Sequence, residues 1–461
     1  MANPEQFHQS FIESPRKHLL NITNHGIHQW QIIPGLTDTG GQNVFVNQFS
    51  DALADQGFKI TIINRGGYKH PISGEMRTGL QYKNANERIF YLEDGIDEFI
   101  RKEDMQAQIP DLKEALEEFL IHEGSKIDLI ISHYWDAAQL GIAYNQDRSE
   151  TVPHIWVPHS LGIYKKRNVS TDLWEHLRVD ERIAVEKQIV QQVDGIGATS
   201  GMIREMLSAE YDYHGKMFWL PPCIDTERFY PRKVDRGDQI WQFLGSQVGL
   251  TDEQVQGRKI ITEVSRTVAN KRKDVLIKAY AKIKPEYPHT LLVVSIDEQE
   301  VELSQELHGL ITDLELKGEV VPVGSIWDLL PTLYAVTDIF CTPSVVEGFG
   351  MTPQEAAATK VAVVSSDGVP FATEYLLGEE FQEVSLPDDP ERAVRVGQGA
   401  IVVSKDDVEG FGFALAMLLA DDDLRLQLGV QGYQITIPDF TWEKVTRNFL
   451  KAAGVSVNWH G

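Results

Sequence analysis

Cysteine is nearly missing from this 461-residue chain: Cys223 and Cys341 are the only two, each inside an apolar segment. A disulfide framework is therefore not expected, and buried thiols in a reducing compartment are. No apolar run is long enough to span a bilayer, so stable membrane insertion is not expected. The N-terminal stretch MANPEQFHQSFIESPRK lacks the apolar core of a secretory signal, and a cytoplasmic location is expected. Basic residues are scarce beside acidic ones, 43 Lys and Arg against 68 Asp and Glu, for a net charge of −25. That field repels nucleic acid and anionic lipid headgroups, so an anionic ligand has to meet a local basic cluster. There is no internal repeat and no low-complexity segment. No His/Asp spacing suits a metal, and neither a metal nor a cofactor is expected.

What is present is an apolar fraction of 42% on a length too great for one core, so two or three globular domains are expected. Apolar runs at 18–23, 59–64, 128–132, 154–157 and 195–200 read as strands, with helical spacing at 43–56 and 201–210. The second half repeats the alternation: strands at 259–264, 290–294, 319–322, 338–341 and 399–403, helices at 274–284, 301–316 and 327–335. The residues between Pro231 and Lys259 read as a polar connector. This pattern predicts an α/β protein of two Rossmann-like doubly wound domains. A proline-punctuated exit, Pro221-Pro222-Cys223-Ile224-Asp225 through Phe229-Tyr230-Pro231, places the division near 235, giving 1–235 and 236–439.

Chemistry-bearing residues collect where strands end. Around Pro343–Gly368 the chain reads PSVVEGFGMTPQEAAATKVAVVSSDG. Glu347 falls in a loop and Glu355 inside a helix, with Gly348, Phe349, Gly350, Met351 and Thr352 between them. A carboxylate suits sugar hydroxyls, and the N–H groups at a helix start suit phosphate; the alternative is a strand, a glycine turn and an amphipathic helix with two solvated acids. Strand 259–264 runs into Ser265-Arg266, and Lys271-Arg272-Lys273 follows before the next helix. Four cations in eight positions of an acidic chain call for an anion; the alternative is a solvated charged loop. Gly40 and Gly41 sit at a strand-to-helix junction, where glycine lets backbone approach a ligand, or where an ordinary turn lies. His159 ends a strand at the place where open α/β sheets put ligand contacts, although a lone histidine there is more often structural. Lys165 and Arg182, taken by themselves, read as solvated surface charges on an acidic chain.

Several strings resemble one family. Glu347 to Ala358 is similar to E-(G/P)-F-G-(L/M)-x-x-x-E-A-x-A, the signature of retaining glycosyltransferases of the GT-B fold. Asp38 to Val46, DTGGQNVFV, resembles D-T-G-G-Q-x-x-Y-V of the sucrose synthase and sucrose-phosphate synthase type, glycosyltransferase family 4. Also similar are Ile100 to Pro110, His133-Tyr134-Trp135-Asp136, His159-Ser160-Leu161-Gly162 with Lys165, Arg182 to Glu186, and Ser265-Arg266 with Lys271. The resemblance covers about Asp38 to Trp442. The chain departs from the pattern at Phe45 (for tyrosine), Gln106 (for tryptophan), Cys223 (for glycine), Arg272 and Val369.

The resemblance implies a GT-B fold whose two domains face a central cleft, with a C-terminal helix in 440–461 crossing back onto the first domain. It implies hexose transfer, with retention, from a nucleotide diphosphate sugar to a phosphorylated sugar or small polyol. UDP-glucose and fructose 6-phosphate are the expected pair; GDP-mannose or a glycerate-type acceptor is the alternative, and nucleotide-sugar binding without transfer is a third. By the same resemblance, Arg266 and Lys271 meet the departing diphosphate, Glu347 the hexose, Glu355 the ribose, and His159 the sugar beside its anomeric carbon. Gly41 and residues 348–352 face the donor, residues 324–329 the base. Gln42, Lys102, Lys165 and Arg182 serve the acceptor, Lys165 and Arg182 together as a point charge and a fork for its terminal phosphate.

Overall fold

The computed structural model describes residues 4–455 except 34, 35, 37, 147, 169–173, 176, 299 and 325. The chain divides into two compact units, Met1–Pro222 with Trp442–Gly461, and Cys223–Thr441. Among the described residues no helix is long and apolar enough to cross a membrane.

The first unit is built on eight strands: β1 His18–Ile22, β2 Lys59–Arg65, β3 Gly79–Asn84, β4 Glu87–Leu92, β5 Leu129–His133, β6 His154–Val157, β7 Gly195–Ala198 and β8 Met217–Trp219. Their order is β3-β4-β2-β1-β5-β6-β7-β8, parallel throughout except for the β3–β4 hairpin. β1, β2 and β5 are buried along their whole length, as a sheet covered by helices on both faces requires. Two polar side chains caught inside each find one partner: His18 Nε2 meets Thr61 Oγ1 at 2.7 Å, and Asn21 Nδ2 donates to Ser50 Oγ at 2.7 Å. Strand order reverses between β1 and β5, so the loops after β1, β5 and β6 open at the sheet's switch point.

The helix Trp442–Ala453 belongs to this unit. The Trp442 ring stacks on Phe49 at 5.8 Å and meets Phe45 edge-on at 5.0 Å, and its indole N–H donates to Gln48 Oε1 at 3.0 Å. Of the segment expected at 440–461, residues 456–461 lie outside the described residues.

The second unit holds β9 Lys259–Glu263, β10 Thr290–Ser295, β11 Val320–Val323, β12 Ile339–Thr342, β13 Ala362–Ser366, β14 Gln382–Leu386, β15 Asp389–Val396 and β16 Ala400–Val403. The order is β11-β10-β9-β12-β13-β16-β15-β14, parallel from β11 to β16 and antiparallel across β15 and β14. The reversal falls between β9 and β12, which aims the loops after these two strands at one place. Cys341 is buried in β12, and Cys223 is buried at the unit's start; neither forms a disulfide.

Three readings of the sequence need correction. The expected connector contains two helices, Gln239–Val248 and Asp252–Gln256, capped by Asp238 and Thr251. The hairpins β3–β4 and β14–β15 were not expected at all. The helix expected from Trp327 starts at Leu330, because Pro331 fixes the first turn there.

Candidate active site

In the second unit the loop after β9 carries Arg266 and Lys271, and the loop after β12 carries Glu347. The two loops are tied by Val345 N–H donating to Asn270 O at 2.9 Å and by a Lys271–Glu347 ion pair. Glu347 N–H is held by Gly368 O at 3.0 Å. Gly350 caps the helix Met351–Ala358 at φ +112°, where a Cβ would lie 2.5 Å from Val369 Cγ1. Only glycine fits that conformation and that space. The amide N–H groups of Gly348, Phe349, Gly350, Met351 and Thr352 have no acceptor among the described residues. Five consecutive donors therefore lie beside the Lys271–Glu347 pair, at a helix N-terminus.

Glu355 lies one turn into that helix. Tyr334 Oη donates to its Oε2 at 3.1 Å. Burial raises the Glu355 carboxyl to about 7, against the lowering effects of the Tyr334 hydroxyl and the Arg228 charge. Arg228 is itself held against Trp327, its guanidinium carbon 3.8 Å from the indole centroid. Of the stretch 324–329, Ser325 lies outside the described residues.

The four cations after β9 do not act alike. Arg266 is exposed, and its guanidinium has no partner among the described residues. Arg272 pairs with Asp274 at 3.0 Å and with Asp406. Lys273 turns inward: its ammonium meets Glu263 at 2.6 Å, Ser265 O and Oγ at 3.0 Å, and Ser295 Oγ at 2.9 Å, with both charges at the floor of exposure. The expectation that all four face an anion is thus corrected for Arg272 and Lys273, whose charges are met within the chain. Lys273 has enough partners within its own domain to account for its charge.

In the first unit the centre is Tyr134, the residue after β5, with φ +78° and 6% exposure. The Arg182 guanidinium lies over its ring, 4.3 Å from the centroid, and donates to its hydroxyl. The Lys165 ammonium is 6.0 Å from the same ring. Burial alone would raise this phenol; Arg182, Lys165 and Lys102 overcome it and bring it down to about 7. Sequence reading named the motif His133–Asp136 and gave Tyr134 no role. The sequence offered only an aromatic hydroxyl at a strand end; Lys102, Lys165 and Arg182 are distant from it along the chain.

Arg182 is not a surface charge. Its Nε donates to Glu186 at 2.6 Å, and Nη2 to Ser160 O at 2.5 Å and Ser160 Oγ at 3.2 Å. Most of its donors are thus spent within the chain, so it supplies positive potential and a held Tyr134 rather than an open fork. The Lys165 ammonium has no hydrogen-bond partner among the described residues. Lys102 lies in a turn, not a helix, and pairs with Asp38 and, at 3.4 Å, with Glu103. Burial lowers the Lys102 ammonium, but these carboxylates outweigh it and leave it raised. Gln42 donates to Thr23 Oγ1 at 3.3 Å from the first turn of the helix Gly41–Asp55. Gly41 opens that helix and is exposed.

His159 follows β6 with φ +56°. Its Nε2 lies 3.0 Å from His133 Nδ1, the rings stack at 5.3 Å, and Phe45 stands edge-on to it at 4.9 Å. Burial, with a contribution from His25, lowers it to about 3, so its imidazole is neutral. Nearby, His25 Nδ1 meets Asp136 Oδ1 at 2.8 Å; burial opposes the charged form, yet Asp136 leaves His25 raised. The structure thus gathers Lys102, Lys165 and Arg182 around Tyr134, and Lys271 with Glu347 beside the open amides. Arg266 touches neither group.

Comparison with known proteins gives this geometry its setting. Residues 39–228 match Glycosyltransferase Family 4, and residues 252–435 match Glycosyl transferases group 1. The chain is 26% identical over 445 residues to mannosylfructose-phosphate synthase of Agrobacterium fabrum, covering 93% of this chain and 89% of that one. It is 25% identical to D-inositol 3-phosphate glycosyltransferase of Corynebacterium jeikeium, over 86% of this chain and 87% of the relative. Among solved structures, sucrose-phosphate synthase from Thermosynechococcus elongatus superposes with a TM-score of 0.76 at 22% identity, covering 95% and 98% of the two chains. The fold is GT-B.

Proposed function

We propose that this glycosyltransferase, a family 4 domain joined to a group 1 domain, moves a hexose from a nucleoside diphosphate sugar to a phosphorylated sugar, with retention. The observation that carries the reading is the loop 347–352: a carboxylate neutralised by lysine, next to five backbone donors with no acceptor among the described residues. A diphosphate sugar supplies what such a loop lacks. Its phosphate oxygens accept from the amides, and its hydroxyls replace the lysine at Glu347. Arg266 and Lys271 then stabilise charge growing on the leaving diphosphate, with no need for a metal. Glu355 takes the ribose hydroxyls.

In the first unit, Tyr134, Lys165, Lys102 and Arg182 form the seat for the acceptor's phosphate, with Gln42 and Gly41 lining the sugar. The named relatives support this, since each carries a phosphate in the name of its product or substrate. His159 holds the transferred sugar near its anomeric carbon. The C1 bond to the leaving phosphate oxygen breaks, the acceptor oxygen bonds to C1 on the same face, and the acceptor proton passes to that phosphate oxygen. No enzyme nucleophile takes part.

UDP-glucose with fructose 6-phosphate is the pair favoured by the D-T-G-G-Q motif. A mannosyl donor such as GDP-mannose, with the same acceptor, is favoured by the likeness to mannosylfructose-phosphate synthase. The purified protein is incubated with each donor and fructose 6-phosphate, and the products are separated and their anomeric configuration read by NMR. An α-linked product from an α-linked donor supports the reading. Tight nucleotide binding without turnover on this or an inositol phosphate acceptor refutes it, as does unchanged transfer in Arg266→Ala with Lys271→Met.

A further inference from the structure

His133 is fully buried behind His159, and one contact joins them, His133 Nδ1 to His159 Nε2 at 3.0 Å. Both rings are neutral, His133 because burial and its histidine neighbours hold it far below its ordinary range. A neutral imidazole carries one proton, so the contact holds one proton and has two possible owners. If His159 Nε2–H donates, His133 must carry its own proton on Nε2. That atom is buried with no partner among the described residues, so an N–H would be stranded there. If His133 Nδ1–H donates, the stranded atom is only a lone pair. An unmade buried donor is the costlier choice, and the second arrangement wins.

We infer that His133 is a positioning residue that fixes the tautomer of His159, accepting at Nε2 and carrying its proton on Nδ1, so that His159 presents a hydrogen-bond donor to the transferred sugar. His159 Nδ1 has no partner among the described residues and is not a sealed, unsatisfied atom. Phe45, edge-on at 4.9 Å, keeps the ring from turning. A donor at Nδ1 binds an oxygen of the hexose and cannot take a proton from the acceptor. The division of labour follows: the ring orients, and the leaving phosphate receives the proton. The role in transfer rests on the reading of His159 given above; the tautomer does not.

The test separates the two. In the 15N-labelled full-length protein, long-range proton–nitrogen correlation spectra report which nitrogen of each histidine is protonated. The expected result is the Nδ1–H form for both His133 and His159, with assignments from His159→Gln and His133→Gln. His133→Gln, whose amide can still donate, keeps the His159 signature and most of the kcat. His133→Phe shifts His159 to the Nε2–H form and lowers kcat about tenfold, the worth of one hydrogen bond, with nucleotide affinity unchanged. An Nε2–H signal from His159 in the unaltered protein overturns the inference whatever the variants do, and so does full kcat in a folded His133→Phe. Nδ1–H signals in a protein with no transferase activity leave the tautomer standing and refute only the functional reading.

Discussion

Replacing Tyr134 with phenylalanine removes one hydroxyl and leaves the ring, and the structure says what that hydroxyl does. The phenol is buried, which on its own opposes ionisation; Arg182 donates to it, and Lys165 and Lys102 add their fields, bringing it to about 7 from an ordinary 10.0. Such a lowering corresponds to about 4 kcal/mol favouring the phenolate over its value in water. The phenolate and an acceptor phosphate compete for the same three cations. Below about pH 7 the neutral phenol leaves the seat cationic; above it the phenolate fills the seat. The KM for a phosphorylated acceptor is therefore expected to rise with pH, by up to about tenfold per unit once the phenol has ionised. Ultraviolet difference spectroscopy of the tyrosinate band is the direct assay. One of the chain's 14 tyrosines should ionise near neutrality, and that step should vanish in Tyr134→Phe and move upward when the acceptor is bound. For stability the sign is that of a depressed group: the contribution is full above the unfolded value and is lost as pH falls through about 7. If no tyrosine ionises below about pH 9, or if the step survives in Tyr134→Phe, the account of the cation seat is wrong.

Glu355 is displaced the other way, raised to about 7 by burial. Nucleotide affinity should tighten as pH rises through that value and the carboxylate forms, while the carboxyl's own contribution to stability, present below its unfolded value, is lost over the same window; calorimetric titration of Glu355→Gln should show no such slope. For the buried pair, Glu263→Leu or Lys273→Met alone strands a charge and should cost about 3–5 kcal/mol in denaturant unfolding. The double change should cost far less, while loosening the Ser265–Lys271 loop enough to lower kcat; equal losses for single and double variants would contradict this. Gly350→Ala forces a side chain into φ +112° and onto Val369; a loss of about 1–3 kcal/mol with weakened nucleotide binding is expected, and an unperturbed variant would show that the loop relaxes freely.

Most of the parallel strands were legible because each is a short apolar run closed by a polar or glycine turn, as at His154–Val157, whereas β4, β8 and β13 were not read from the sequence. Their ends are also where the motifs sit, so sheet order and motif position agreed. The helix Gln239–Val248 was overlooked although its signals were present: Asp238 at the cap, Ile240, Trp241 and Leu244 on one face, and Gly249 after the last turn. β3 offered no such signal, since Gly79–Asn84 is only half-buried and lacks an apolar face of its own. Pairings between distant residues were beyond reach. Lys273 and Glu263 are ten residues apart and look like two solvated charges until strand, loop and helix close over them. Arg182 reads as a phosphate fork in the sequence, and only the folded chain shows Glu186, Tyr134 and Ser160 occupying it.

The strand-like contact between Ile224 N–H and Phe440 O, at 2.8 Å, and the bridge from Ile224 to Thr441 bring the two ends of the second unit side by side. That unit is thus an insertion, entered and left through one doorway. Residues 223–441 can be excised as a continuous piece, whereas a cut after Pro222 strips the remainder of Trp442–Ala453 and uncovers Phe45 and Phe49. A workable split of this enzyme into halves rejoins 1–222 to 442–455 through a short linker, instead of dividing the chain at its midpoint.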